Sequence, residues 1–271
     1  MSFEAFAASH GLIIKHLVEG KWVRVPTVDH PAKRNGAYLY EGDSGAVQNW
    51  AVHVKPIPWR SASVTEIDYD AIRKRKERHE KEQRVAQDKA SKKAAWIMHN
   101  CVKGKHEYLA KKGFPNEQIW VWNDLAVIPM RVNGKLVGCQ LISTDGTKKF
   151  LSGQRTKGAT VVFDNKGVPI LCEGYATAMS IRRALKAVKA RYKIIVCFSA
   201  GNILEVAKEN RDGIIVADND TTGIRVAKAT GLPYWVSDVD GEDFNDAELR
   251  TGANSAGESL LKLICNWRGE D

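Results

Sequence analysis

The segment 168–202, VPILCEGYATAMSIRRALKAVKARYKIIVCFSAGN, decides the fold class. It opens on a short apolar run, VPILC, passes through the helix-forming ATAMSIRRALKAVKA, and returns to a second apolar run, YKIIVCFS. Residues 202–240 repeat the alternation. NILEVAKEN reads as a helix, DGIIVADND as a strand, TGIRVAKATG as a helix and LPYWVSDVD as a strand. Apolar runs too short for helices, separated by helical stretches, spell βαβ units and a parallel sheet buried on both faces.

Open α/β sheets bind ligands beyond the carboxyl ends of their strands. Acidic residues stand at three of those ends. Glu173 follows VPILC, Asp218 and Asp220 follow GIIVA, and Asp240 and Asp243 follow PYWVSDV. Asp218 and Asp220 are two residues apart, a spacing that points both side chains the same way in extended chain. Neighbouring carboxylates repel, and a hard divalent cation with oxygen ligands relieves the repulsion. The same residues also suit structural places. Glu173 is favoured by the dipole at a helix start, Asp218 and Asp220 fit turns and caps, Asp240 fits a loop, and Asn245-Asp246 fits the cap of a helix starting at Ala247.

Upstream the charge changes sign. The 271 residues hold 41 Lys plus Arg and 32 Asp plus Glu, a formal net charge of +9. Residues 172–271 carry 13 basic and 15 acidic groups, and residues 1–171 carry 28 and 17, so the first part stands at +11. A basic body beside an acidic cluster suits a polyanion and a divalent metal; it equally suits a soluble protein with solvated faces. No apolar run approaches the roughly 20 residues that span a bilayer, and the start lacks the signature of a secretory signal, so no membrane partner is expected. The five cysteines form no CxxC pair, which excludes a zinc ribbon and suits a reducing cytoplasm.

The chain divides into four stretches. Residues 1–65 form a small β-rich module carrying Trp22, Tyr38, Tyr40, Trp50 and Trp59. Residues 66–100 read as one basic helical linker, with ten basic and four acidic groups over 71–93. In 101–166, Asn133-Gly134 and Asp145-Gly146 read as two-residue hairpin turns between antiparallel strands. Residues 167–271 form the α/β domain. The fold class is thus α+β leading into α/β.

CEGYATA, CFSAGN, ADNDTTG and EDFND together resemble a Toprim domain, the catalytic fold of bacterial-type primases, topoisomerases and some nucleases. HEYLAKKGF and LAVIPMRVNGKLVGCQLISTDGTKKFLSG resemble the basic N-terminal half of a primase core, and the combination is similar to Toprim DNA primases of phages and plasmids. GAYLYEGDSGAVQNW resembles the small N-terminal module of such proteins. The resemblance implies an enzyme that synthesises short RNA primers on single-stranded DNA from nucleoside triphosphates. It implies Mg²⁺ or Mn²⁺ as cofactor, the cytoplasm of a bacterial host cell as location, and a separate replicative helicase as partner. Glu173, Asp218 and Asp220 are implied as catalytic residues, and with Asp243 as metal ligands, supported by Asn245 or Asp246. Lys149 is implied to contact the nucleotide, with Arg131, Arg155 and Lys157 lining the same groove. The alternatives are a Toprim-type metal-dependent nuclease and a non-catalytic replication accessory that binds nucleic acid. The chain departs from the pattern at Thr177, where many primases carry an acidic residue, and it lacks both the zinc-binding template reader and a GxxxxGK[ST] helicase loop.

Overall fold

Ser2 starts the first helix by accepting a hydrogen bond from the Ala5 N–H, and the resulting α1 (Phe3–Ser9) is shorter than the apolar pattern of residues 1–15 suggests. A computed structural model of the chain describes residues 1–62 and 69–269. The 65/66 boundary expected from composition lies outside the described residues. The chain forms two compact units, Met1–Lys76 and Glu77–Asp271.

In the first unit, β1 (Trp22–Val25), β2 (Gly36–Tyr40), β3 (Ser44–Asn49) and β4 (Ile57–Arg60) form an antiparallel meander in sequence order. One face packs on α1. Phe3 sits at its centre, within 6 Å of the Tyr38, Tyr40 and Trp59 rings. Aromatics are the economical way to fill so small a core.

The second unit begins within α2 (Tyr69–His99), the uninterrupted helix that a run without Pro or Gly calls for. Then come β5 (Val102–Gly104), α3 (Glu107–Lys111), β6 (Ile119–Trp122), β7 (Leu125–Val132), β8 (Lys135–Ile142) and β9 (Lys148–Phe150). These five strands form an antiparallel sheet in chain order. Asn133 and Gly134 both take positive φ, 48° and 77°, as a two-residue turn between β7 and β8 requires. Asp145-Gly146 does something else. It lies in a five-residue loop, and the Asp145 carboxylate accepts from the Thr147 N–H at 2.8 Å. The local Asx turn closes the loop before the strands can.

Next are β10 (Val161–Asp164), β11 (Pro169–Cys172), α4 (Tyr175–Ala187), β12 (Lys193–Val196), α5 (Ala200–Val206), β13 (Ile214–Val216), α6 (Thr221–Thr230), β14 (Tyr234–Trp235), α7 (Phe244–Thr251) and α8 (Ala253–Arg268). The sheet order is β10-β12-β11-β13-β14. All pairs are parallel except β10 with β12. Alternate side chains enter different cores. Ile170, Ile194 and Ile214 face the side covered by α4 and α8, while Leu171, Ile195 and Ile215 join Ile203 of α5 and Val226 of α6. This double cover is why the strands read as unbroken apolar runs.

The first of these cores also takes in Leu109, Ile128, Met130 and Ile142 from the antiparallel sheet and α3. A buried polar tie reinforces the junction. Glu248, 3% exposed, receives two hydrogen bonds from Arg183, whose third nitrogen donates to the Gly113 carbonyl at 2.8 Å. Asn245 donates to the Lys112 carbonyl at 2.9 Å and to the Ser180 hydroxyl at 2.8 Å.

Candidate active site

The carboxyl ends of β11, β13 and β14 release the chain into the loops that hold Glu173, Asp218 and Asp238–Asp243. Glu173 comes directly after β11 and ahead of α4, with the Ala200 N–H at the start of α5 acting to lower its pKa. Burial raises its pKa; Lys148 opposes the rise and Asp220 adds to it. Asp218 follows β13 by two residues. Its pKa is pushed up to about 7, first by burial and then by the charges of Glu173, Asp243 and Asp220, with Lys148 again opposing. The Asp218 Oδ1 is buried and lacks a hydrogen-bond partner. A buried acceptor without a donor is rare, and it marks a place where a proton or a cation belongs.

Asp220 and Asp243 each do two things. Asp220 is the N-cap of α6, and its Oδ1 accepts from the Gly223 N–H at 2.6 Å. Asp243 is the N-cap of α7, and its Oδ1 accepts from the Asp246 N–H at 2.9 Å. Each cap engages one carboxylate oxygen, so the charge of the pair still reaches Asp218. Gly223 is required by close approach. A Cβ there would stand 2.4 Å from the Asp218 carbonyl oxygen, so a side chain would displace the acidic loop itself.

The other sequence-derived residues divide. Asp240 is an exposed loop residue. Asp246 is in the first turn of α7, where Lys112 lies 3.8 Å from it and 3.7 Å from Asp243. Asn245 is buried as part of the tie to the 101–166 segment, and Thr177 is buried in the first turn of α4. Lys149 is exposed on β9, on the opposite pleat from Lys148. Arg131 donates to the Gly134 carbonyl at 3.0 Å, stapling the β7–β8 hairpin. Arg155 and Lys157, with Val132, Gly134 and Glu205, line a cleft of about 420 Å³ beside β10 and β12 that includes none of the four carboxylates. Lys157 is 3.5 Å from Glu205.

Three residues of the site escape a reading by motif. Lys148 is the lysine that faces the carboxylates. Lys112 sits in HEYLAKKGF with nothing to distinguish it from Lys111. Asn202 ends the CFSAGN segment with no role assigned to it there, and it is buried and fully used. Its Nδ2 donates to the Ala159 and Cys197 carbonyls, both at 2.8 Å, and its Oδ1 accepts from the Gly158 N–H at 2.7 Å. It pins the basic loop 155–160 to the end of β12. Replacement by Ala leaves two buried carbonyls, of Ala159 and Cys197, and the part-buried Gly158 N–H without this partner, each buried group costing about 1–3 kcal/mol. Asn202→Ala is expected to loosen that loop, so that trypsin cuts after Arg155 or Lys157 at least about tenfold faster than in the wild type; equal rates would remove Asn202 from this role.

As a donor set, hard carboxylate oxygens with one orphaned and a group held near neutrality fit a divalent cation. Among the described residues, no three such side chains already stand in the geometry of a metal site.

No family model matches the chain. Solved structures with partial similarity to the chain are found. The likeness is to DNA primase domains. One is a chain of the bacteriophage T7 lagging-strand DNA polymerase with primase domains of two gp4 subunits, at 16% identity over 58% of this chain and 85% of that one, TM-score 0.39. The second is the DnaG catalytic core, at 14% identity over 63% of this chain and 61% of that one, TM-score 0.39. The third is a DNA primase domain from Pseudomonas aeruginosa, at 14% identity over 63% and 58%, TM-score 0.38. The chain thus spans less than two thirds of the length of the latter two. Among the described residues, no helix is long and apolar enough to cross a membrane.

Proposed function

We propose that this chain is a Toprim-type DNA primase of the phage and plasmid kind, joining nucleoside triphosphates into short RNA primers on single-stranded DNA. The observation that carries this reading is the acidic rim, in which Glu173, Asp218, Asp220 and Asp243 share one electrostatic neighbourhood, with Lys148 acting on Glu173 and Asp218 and Lys112 beside Asp243. The four carboxylates would hold Mg²⁺ or Mn²⁺, which when bound supplies charge stabilisation to the attacking and leaving oxygens of an in-line displacement.

The chain's own residues have separable tasks. Glu173, its pKa raised by burial, is thereby a stronger base than an exposed carboxylate and is suited to take the proton of an attacking hydroxyl. Lys148 opposes the rise of the Glu173 and Asp218 pKa values and would offer a cation to triphosphate charge beside the rim. Lys149, Arg131, Arg155 and Lys157 offer nucleotide and template phosphates further cations, which predicts binding that weakens steeply with salt. The same rim chemistry would serve a nuclease, and the basic first half would serve a binding accessory. A cytoplasmic enzyme of a bacterial host, working with a separate helicase, completes the proposal.

The test is primer synthesis on mixed-sequence single-stranded DNA with labelled nucleoside triphosphates and Mg²⁺ or Mn²⁺, wild type beside Glu173→Gln. Oligonucleotide product from the wild type, lost in the variant, is expected. Shortening of the DNA without nucleotides would turn the reading to a nuclease. Tight binding with neither product would turn it to an accessory.

A further inference from the structure

The first unit contributes none of the rim residues, and its sheet has a second face. Register sorts the side chains of β1–β4 into two sets. Val23, Tyr38, Val47 and Ile57 stand opposite one another and enter the small core with Tyr40 and Trp59. The alternate positions point the other way. There Trp22 stands opposite Leu39, Leu39 opposite Ala46, and Ala46 opposite Pro58, an apolar lane crossing all four strands. At about 4.8 Å per strand it is about 14 Å long.

Cations border this lane on both sides. On one side Arg24 leads the row Arg24, Ala37, Gln48, and its guanidinium lies 4.0 Å over the ring of Trp50. On the other, Arg60 stands opposite Ser44. Trp22 is 49% exposed, and Arg24, Pro58 and Arg60 are exposed as well; Leu39 and Ala46 between them are half-buried, and Ala37 and Gln48 of the Arg24 row are buried. The outward strand positions include no carboxylate, and among the described residues neither arginine has an ion-pair partner. A small sheet gains nothing in stability from a half-exposed Trp on its open face, and large exposed apolar groups rimmed by polar ones mark binding surfaces.

We infer that this outer face is a stacking platform for single-stranded nucleic acid. The ligand must offer flat apolar faces and carry an anionic backbone along both edges. Unpaired bases over the Trp22–Pro58 lane, with phosphates reaching Arg24 and Arg60, satisfy both demands; a duplex hides its base faces and satisfies only the second. The Arg24–Trp50 stack holds the guanidinium at the lane in advance. Recognition is by π-face and charge, hence tolerant of sequence.

The inference concerns binding alone and does not depend on the catalytic reading, so the assay uses the full chain with chelator present and nucleotides absent. Affinity is measured by fluorescence anisotropy for an oligothymidylate and for an abasic strand of equal length and charge. The wild type is expected to prefer the base-bearing strand about tenfold or more. Trp22→Ala is expected to lose most of that preference while still binding the abasic strand as before, and Trp22→Ala with Arg24→Ala is expected to lose the preference and bind both strands more weakly. Arg24→Lys, which keeps the charge and loses the planar stack, should fall between. Photocrosslinking of a bromouracil strand is expected to mark the peptides holding Trp22 and Trp50. An unchanged preference in the double variant, or crosslinks confined to the second unit, would overturn the inference. So would a concentration-dependent dimer that Trp22→Ala abolishes, because the lane would then be a contact between copies of this chain. Loss of primer synthesis in rim variants leaves this result untouched, and loss of lane binding leaves the rim reading untouched.

Discussion

Asp218→Asn is expected to destroy nucleotidyl transfer and, in the same protein, to raise the melting temperature measured in chelator. The two effects have one cause. Asp218 is held at a pKa of about 7 by burial and by three neighbouring carboxylates, with one oxygen buried and unpartnered. Keeping that charge in the metal-free fold costs stability. The sign follows from linkage. A carboxylate whose pKa is higher folded than unfolded contributes fully below its unfolded value and loses that contribution as pH rises through the folded one. Metal-free wild type is therefore expected to lose stability between about pH 4 and pH 7, and Glu173, also raised, adds in the same direction. Asparagine keeps the shape and removes the charge. With allowance for partial solvation the gain is about 2 kcal/mol at pH 8, or about 5 °C in a domain of this size. Added Mg²⁺ or Mn²⁺ should stabilise the wild type and leave the variant unmoved. Activity should fall about 10²–10³-fold or more, since the lost charge is one the transition state uses. Melting curves at pH 5 and pH 8, with chelator and with metal, decide it. A variant no more stable than wild type at pH 8 would show that the rim is not under electrostatic strain.

The second large effect separates two adjacent lysines. Strand β9 is three residues long, so Lys148 and Phe150 share one pleat and Lys149 takes the other. Phe150 meets Phe198 edge-on at 6.4 Å, just past the end of β12, which points this pleat toward the rim. Lys148 in turn lowers the pKa of both Glu173 and Asp218. Lys148→Ala is expected to cut kcat about 10²-fold and to shift the acid limb of the pH profile upward, because both carboxylates then hold their protons to higher pH. Lys149→Ala is expected to spare kcat and raise KM for nucleotide or template a few-fold. Initial rates over pH 6–9 for the two variants make the comparison. A larger kcat loss at Lys149 would place the catalytic cation on the other pleat.

The parallel strands were legible because PILC, KIIV and IIV are buried on both faces and leave no polar beat to confuse them. Glu173 and Asp218 were legible for the same reason, each being the first polar residue after such a run. Other features had no such marker. Asp145-Gly146 carries the chemistry of a two-residue turn, but its hydroxyl neighbours Ser143 and Thr147 close a longer loop around it. In KKF, pleat phase cannot be read from two identical residues. VVFD is too short to declare that it pairs with β12 rather than with the strands before it. Asn202 and Lys112 act by position, and nothing local announces a position. Asp220 caps its helix as expected, whereas Asp243, not Asn245-Asp246, caps the helix that follows it; each cap uses one carboxylate oxygen, which leaves the other for the proposed rim role.

The core shared by the antiparallel and parallel sheets bears on inheritance. A recombination breakpoint near residue 166 would join Leu109, Ile128 and Met130 to an unmatched set of partners for Ile170, Ile181 and Leu185, and would strand Arg183 and Glu248 without the Gly113 carbonyl. Such a hybrid would carry two half-cores cut to different shapes. Residues 77–269, which hold both sides of this packing, are therefore expected to be inherited together.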